Sequence, residues 1–355
     1  MVHRIKKLRE RFDLLGIDAF LVTFQPHLRY LSGFSGSNGL AIVTKRSLQF
    51  ITDSRYAQQV KVEVTGWKVF IAEDSLFEVI KQNNLFRHGL RVGFDGNTVT
   101  YSQFKELKKI FPKVKLLPKS GCIDDLASIK EPDEVNKIRM AASITDKTFA
   151  EILLLLRPGV RELDIAAEIS YRQRKSGAES DAFEPIVVSG ERSALPHGRA
   201  TSKPVAHGDV VTLDFGCVYE GYHSDLTRTI VIGKVKPELK KIYTIVLNAQ
   251  LKALKAAKSG VKAKDLDAVA RDYINGEGYG KFYRHSLGHG LGLQIHEPPR
   301  ISNRSNAILN RGNVVTIEPG IYIPKLGGVR IEDDIVITNG RCENLTRSPK
   351  ELIVV

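Results

Sequence analysis

Cysteine is scarce in this chain: Cys122, Cys217 and Cys342 are the whole complement, and they lie far apart. Three thiols so placed argue against a disulfide framework and fit a reducing cytoplasm, which is the compartment expected. Long apolar runs are missing as well. The longest uninterrupted aliphatic stretch, residues 152–156, is far too short to span a bilayer. Arg4, Lys6 and Lys7 charge the opening residues, which lack the apolar core of a secretion signal. The net charge of +13 raises a nucleic-acid reading, and its densest run holds Lys105, Lys108, Lys109, Lys113, Lys115 and Lys119. No zinc-finger spacing, RNA-recognition signature or basic heptad accompanies that run. It reads as a solvated face that raises local anion concentration. Neither a membrane nor a nucleic acid is expected as a partner.

What the chain does have is repetition. Residues 207–216 and 311–320 are near-copies: Gly208, Val210, Val211, Thr212 and Gly216 recur as Gly312, Val314, Val315, Thr316 and Gly320. Both read as buried strands, short apolar runs rich in β-branched residues between glycines. Asp214 and Glu318 occupy the same place in the two copies. Burying a carboxylate is costly unless something neutralises it, so an acid recurring at one position of two buried strands calls for a reason. A second acid follows each copy, Asp225 and Glu332. Each copy folds as a hairpin. Pairing Asp214 with Asp225 puts the turn at Tyr219, Glu220 and Gly221; pairing Glu318 with Glu332 centres it on Lys325, beside Gly327 and Gly328. Like charges side by side across a strand pair repel. A multivalent cation between them is the simplest remedy, and neutralisation by lysine or arginine, with Arg330 near one pair, is the alternative. Recurrence in both hairpins favours the cation.

The duplication reaches upstream. Residues 157–167 resemble residues 258–268, each after a long helical pattern (132–156 and 237–258) and each opening a shorter helix. Two related halves result, each with two helices and an acidic hairpin, which brings four carboxylates to a pseudo-twofold centre. Between the hairpins, residues 285–297 hold His285, His289 and His296, three of the nine histidines. On a regular strand His289 and His296 face opposite sides, and a glycine-permitted bend brings both to one cavity. His223 and His285 read as a turn residue and a packing residue.

Asp214, Asp225, His289, Glu318 and Glu332 together resemble, in type, order and local context, the ligand set of the pita-bread metallopeptidases. Residues 285–297 are similar to the signature of the Xaa-Pro branch, which contains aminopeptidase P and prolidase, and the likeness runs from about Ile129 to the end. The resemblance implies two divalent ions, manganese first, with cobalt, iron or zinc as alternatives, since four carboxylates and an imidazole are mostly hard ligands. It further implies that Asp225 chelates one ion, that His289 and Glu318 hold the other, and that Asp214 and Glu332 bridge. Glu318 would also take a proton from the attacking water. His197 would sit near the scissile carbonyl, and His296 would contact substrate and stabilise the tetrahedral intermediate. Arg330 is expected to orient a carboxylate.

The amino-terminal part resembles the smaller, creatinase-like domain of the same branch, notably in residues 29–37 and 52–56. Strand-like runs at 19–23, 40–44, 48–52, 69–72 and 92–95 alternate with helical patterns near 5–15, 54–62, 76–82 and 102–110. An open mixed sheet covered by helices is expected, hence an α/β (α+β) chain with a domain at 1–121 and a catalytic domain at 122–355. Residues 33–37 lack the strand, spacing and lysine of a phosphate loop. The expected activity is that of an Xaa-Pro aminopeptidase acting on proline-containing peptides. Prolidase is the alternative, which Arg300 would serve by clamping a dipeptide's free carboxylate. A protein-binding relative and a metal-free creatine-type hydrolase stand further off, because the acids are intact. A homodimer is expected, since the family commonly pairs subunits through the small domain.

Overall fold

The computed structural model describes residues 2–355 and divides into two compact units, one ending at Ala127 and the other beginning at Ser128. The sequence reading puts the junction at residues 118–121. The segment after it stays with the first unit because Cys122 and Ile123 are buried and Arg11 Nη1 donates to the Cys122 carbonyl (2.9 Å). His27 Nε2 also lies 2.9 Å from Asp124 Oδ1.

The first unit is a six-stranded mixed sheet whose strands, numbered along the chain, lie in the order 4-3-2-1-5-6. Five of them match the expected runs. The sixth, Lys115–Pro118, comes out of the lysine-rich stretch: Lys115 is exposed, but Leu116 and Leu117 are half-buried and pair in parallel with Val92 and Gly93. The remaining lysines of that run stand largely on the helix Tyr101–Ile110, which Thr100 and Gln103 cap reciprocally. The helix Gln25–Ser32 was not expected from the pattern; it starts with Pro26 in its first turn and stops at Gly33 (φ 83°).

The second unit is built twice over. A 22-residue helix, Pro132–Leu153, and a 14-residue helix, Glu162–Lys175, precede the strands Ile186–Ser189, Val210–Phe215 and Leu226–Val231. A 20-residue helix, Pro237–Ala256, and a 14-residue helix, Ala263–Gly276, precede Gly288–Gly290, Val314–Ile317 and Asp333–Ile337. In each half the middle strand pairs antiparallel with the other two. The two-residue period of a strand then sorts side chains. Val211, Leu213 and Phe215 pack in one core with Ile165 and Ile169, while Val315 and Ile317 pack in another with Leu266 and Ala270. Thr212, Asp214, Thr316 and Glu318 are left on the opposite faces. There the halves meet: the Glu332 amide donates to the Thr227 carbonyl (3.1 Å), and Thr229 Oγ1 to the Arg330 carbonyl (3.0 Å).

One hairpin keeps the expected register and the other does not. Gly320 faces Arg330 and Ile317 faces Asp333, the alignment that sets Glu318 against Glu332 at the short break between two ladders. In the first hairpin Asp214 faces Thr227, and Asp225 lies two residues away on the diagonal. The cause is the turn. Glu220 (φ 45°) and Gly221 (φ 80°) both take the left-handed conformation, which makes a two-residue turn and shifts the pairing by two. A shift of two preserves the face, so both aspartates still point to the same side. Among the described residues no helix is long and apolar enough to cross a membrane.

Candidate metal centre

The eight residues singled out in the sequence line one cavity of about 690 Å³: Asp214, Asp225, His289, Glu318 and Glu332 with His197, His296 and Arg300. Each half contributes strand ends. Asp214 lies near the end of Val210–Phe215, Glu318 just past Val314–Ile317, and Asp225 and Glu332 just ahead of their strands. His289 belongs to Gly288–Gly290, which lies close against the neighbouring strand: a Cβ on Gly288 would come 2.0 Å from the Thr316 carbonyl oxygen, so only glycine fits. After Gly290 the strand gives way to a bend, and the imidazoles of His289 and His296 meet edge to face, 4.3 Å between centroids.

The tautomer of His289 follows from its neighbours. Nδ1 lies 3.1 Å from the Gly290 carbonyl, to which it must donate, so the lone pair sits on Nε2. That nitrogen is 3.7 Å from Asp225 Oδ2 and 3.5 Å from Glu318 Oε1. These separations are too long for good hydrogen bonds and suit ligands of a shared ion. One ligand atom each from Asp225, His289 and Glu332 lie within 4.8 Å of one another. Asp214 is engaged differently, by a tight ion pair to Arg330 Nη2.

Electrostatics make the centre expensive without added positive charge. Burial, reinforced by neighbouring carboxylates, pushes Asp225 and Glu332 well above the usual carboxyl range, and Glu318 is pushed up to about 8 by burial first of all. Burial also lowers His289 to about 4 and lowers His296. Asp225 Oδ1 and Glu332 Oε1 are buried with no hydrogen-bond partner. Among the described residues Arg330 is the guanidinium ion-paired to these acids, so the four carboxylates outnumber the cation paired with them. Orphaned carboxylate oxygens and an imidazole lone pair converging on one place fit divalent ions.

Comparison with known proteins agrees. The profile of metallopeptidase family M24 matches residues 136–339, and that of the creatinase/prolidase N-terminal domain matches residues 4–129. The chain belongs to family M24. A solved Xaa-Pro dipeptidase from Bacillus anthracis is 44% identical, with a TM-score of 0.96 over 100% of this chain and 99% of that one. A relative called Xaa-Pro dipeptidase from Pyrococcus horikoshii is 39% identical over 99% of each chain. A solved X-Pro aminopeptidase from Thermotoga maritima is 40% identical, with a TM-score of 0.91 over 98% of this chain and 99% of that one. The chain is thus a metallopeptidase of the Xaa-Pro branch of M24, a branch that works with divalent metal ions.

Several contacts around the cavity escaped sequence reading. Arg330 does orient a carboxylate, but that of Asp214 in the other half rather than a neighbour on its own hairpin. It also donates to Tyr322 Oη (2.8 Å), to the Pro196 carbonyl (3.1 Å) and, through Nε, to Thr227 Oγ1 (3.0 Å). Thr227 passes the contact on, donating to Glu332 Oε2 at 2.6 Å. Asp334 Oδ2 accepts from the Asp225 amide (2.8 Å), and burial holds its carboxyl well above the usual range. The unbroken acid run Glu332, Asp333, Asp334 was the available signal. Asp333 is not part of the centre: Arg228, Lys350 and Gln250 hold it in the core. His285 packs as expected, Nε2 against Tyr322 Oη at 3.0 Å, with burial taking it down to about 3. His223 is a strand residue, not a turn residue, and its Nδ1 lies 2.9 Å from the Gly292 carbonyl.

Proposed function

We propose that this protein is an Xaa-Pro dipeptidase that uses two divalent ions, manganese in the first place. The sequence alone leaned to aminopeptidase P. The balance moves because of Arg300, an exposed guanidinium with no acidic partner among the described residues that stands on the cavity wall beyond His296, and because the relatives with high identity include dipeptidases. A carboxylate at a dipeptide's end, one residue from the scissile bond, is the anion such a guanidinium would meet.

Asp214, Asp225, His289, Glu318 and Glu332 would hold the ions, with Asp225 grouped with His289 and Glu332 and with Asp214 steered by Arg330. The family-based expectation put Asp214 in the shared role; the proximity of Asp225 to His289 supports Asp225 in its place. When bound, the ions supply an acidified water and a polarising contact for the scissile carbonyl. Glu318, which faces the same cavity beside His289, would accept the proton of the attacking water. His197 and His296 donate to the oxygen that becomes negative as the carbonyl is attacked. Phe183, Ile186, Pro196 and Pro298 give an apolar wall for the proline ring, which presents no amide N–H to be read.

A manganese-supplemented assay of the purified protein on Ala-Pro and Ala-Pro-Ala tests this. Faster turnover of the dipeptide, abolished by chelation and restored by manganese, is expected. Faster turnover of the tripeptide would return the assignment to aminopeptidase P, and full activity after exhaustive metal removal would refute the metal mechanism.

A further inference from the structure

A second cavity, of about 560 Å³, adjoins the first, and His285, Ser286 and Arg300 belong to both walls. Arg271, Arg284, Arg304 and the polar residues Ser302, Asn303 and Ser305 complete its lining. Four guanidiniums and no carboxylate surround this basin. One of the four is neutralised: Arg271 Nε donates to Asp267 Oδ2 at 2.6 Å, and the same side chain donates to the carbonyls of Tyr283 and His285. Arg284 commits only Nε, to the Lys281 carbonyl (3.0 Å), and no ion pair among the described residues engages Arg284, Arg300 or Arg304. Like charges gathered round one depression repel each other and concentrate anions there. The acids of the metal centre and the arginines of the basin thus divide one continuous surface into a cation-binding end and an anion-binding end.

We propose that the basin is the subsite for the residue after proline and that it selects an acidic one, so that Xaa-Pro-Asp and Xaa-Pro-Glu are cleaved in preference to their neutral counterparts. The inference rests on the reading of the adjoining cavity as an Xaa-Pro site. A dipeptide ends at Arg300, on the shared wall. A peptide longer by one residue passes Arg300 and brings its terminal carboxylate among Arg284 and Arg304; an acidic side chain adds a second carboxylate there. Guanidinium forks match carboxylates in shape, with Ser302, Asn303 and Ser305 as neutral partners. Arg284 and Arg304 are exposed, so each contact is modest and screened by salt.

The test compares kcat/KM of the full-length, manganese-loaded enzyme for Ala-Pro-Asp and its isosteric neutral partner Ala-Pro-Asn, with Ala-Pro, which ends at Arg300 short of Arg284 and Arg304, as reference for each variant. At low ionic strength the aspartate peptide is expected to be favoured about three- to tenfold, the yield of two exposed ion pairs. The preference is expected to fall below about twofold at high salt and in the double variant Arg284→Gln/Arg304→Gln. Equal rates for the two tripeptides, or a preference that survives in the double variant, overturn the proposal. Failure of the wild type to cleave Ala-Pro and both tripeptides is the separate failure of the Xaa-Pro reading. In that event the ratio of calorimetric Kd values for the same two tripeptides, in wild type and double variant, decides the subsite by the same criteria.

Discussion

Replacing Lys130 by methionine should destabilise the second unit severely, although Lys130 touches no metal ligand. Its Nζ forms a tight ion pair with Glu297 Oε1 and reaches the Ser128 carbonyl at 3.3 Å, and the two side chains are 1% and 4% exposed. Burial at this level takes both charges out of water, so each depends on the other. Methionine keeps most of the volume and removes the cation, leaving Glu297 with a 3.4 Å contact from the Gln294 amide. Breaking such a pair from one side costs about 3–5 kcal/mol, against a total stability on the order of 5–15 kcal/mol for a domain. Replacing both members, Lys130→Met with Glu297→Gln, removes the stranded charge and should recover most of the loss, giving a coupling of roughly 2–3 kcal/mol. The probe matters. The sole tryptophan, Trp67, lies in the first unit, whereas the four long helices lie in the second. Urea unfolding should therefore be followed by far-ultraviolet circular dichroism. Activity should fall as well, since Glu297 anchors the segment that carries His296. A loss below about 1 kcal/mol in the single variant, or simple additivity in the double one, would refute the argument that the pair is desolvated.

Asp225→Asn removes the shared charge at the centre with little change in volume; metal content measured by mass spectrometry should drop and activity fall by at least a hundredfold with the circular dichroism unchanged, and retention of two ions would show that Asp225 is no ligand. Arg300→Ala should lower kcat/KM for Xaa-Pro by roughly ten- to a hundredfold, the worth of a charged bidentate contact, and affect Ala-Pro-Ala much less; equal losses would make Arg300 a support of the site. His285, held at about 3 against an ordinary 6.5, is neutral in the fold while the unfolded chain takes up a proton below 6.5. Its contribution to stability is therefore whole above 6.5 and drains as pH falls toward 3, by at most about 1.4 kcal/mol per pH unit, and the difference between wild type and His285→Gln across that window should show the slope. Light scattering at micromolar concentration should report a homodimer of about twice 39.5 kDa, and a persistent monomer would contradict that expectation.

The candidate metal centre was legible because duplication left two copies of one pattern, and an acid repeated at the same place in buried strands has few physical excuses. Period-two alternation then sufficed to put Asp214 and Glu318 on the face away from the helices. Register was less accessible: Gly221 marked the turn, but Glu220 adopts a positive φ that a non-glycine residue seldom takes, and this moves the turn's centre along the chain. Arg330 was hard to place for another reason. Its partners Asp214, Tyr322, Thr227 and Pro196 come from separate stretches of chain, and only the folded seam gathers them. The strand Lys115–Pro118 was masked by its lysines, being four residues long and only half-buried. On the proposed reading, the choice between dipeptides and longer peptides would depend on which charges stand around Arg300. That is a property of the loop surface at residues 284 and 302–305, to which the strand pattern is blind.

The seam between the halves also bears on the order in which the molecule is completed. Each half has its own pair of helices packed on its own strands. Neither half owns a finished ligand set: one offers two aspartates, the other a histidine and two glutamates. The Glu332 amide reaches the Thr227 carbonyl only after long-range docking, and that docking brings Asp225 and Glu332 together. On the proposed dinuclear reading, tight uptake of ions would require both halves to be folded and docked, so bound metal would report on the finished fold.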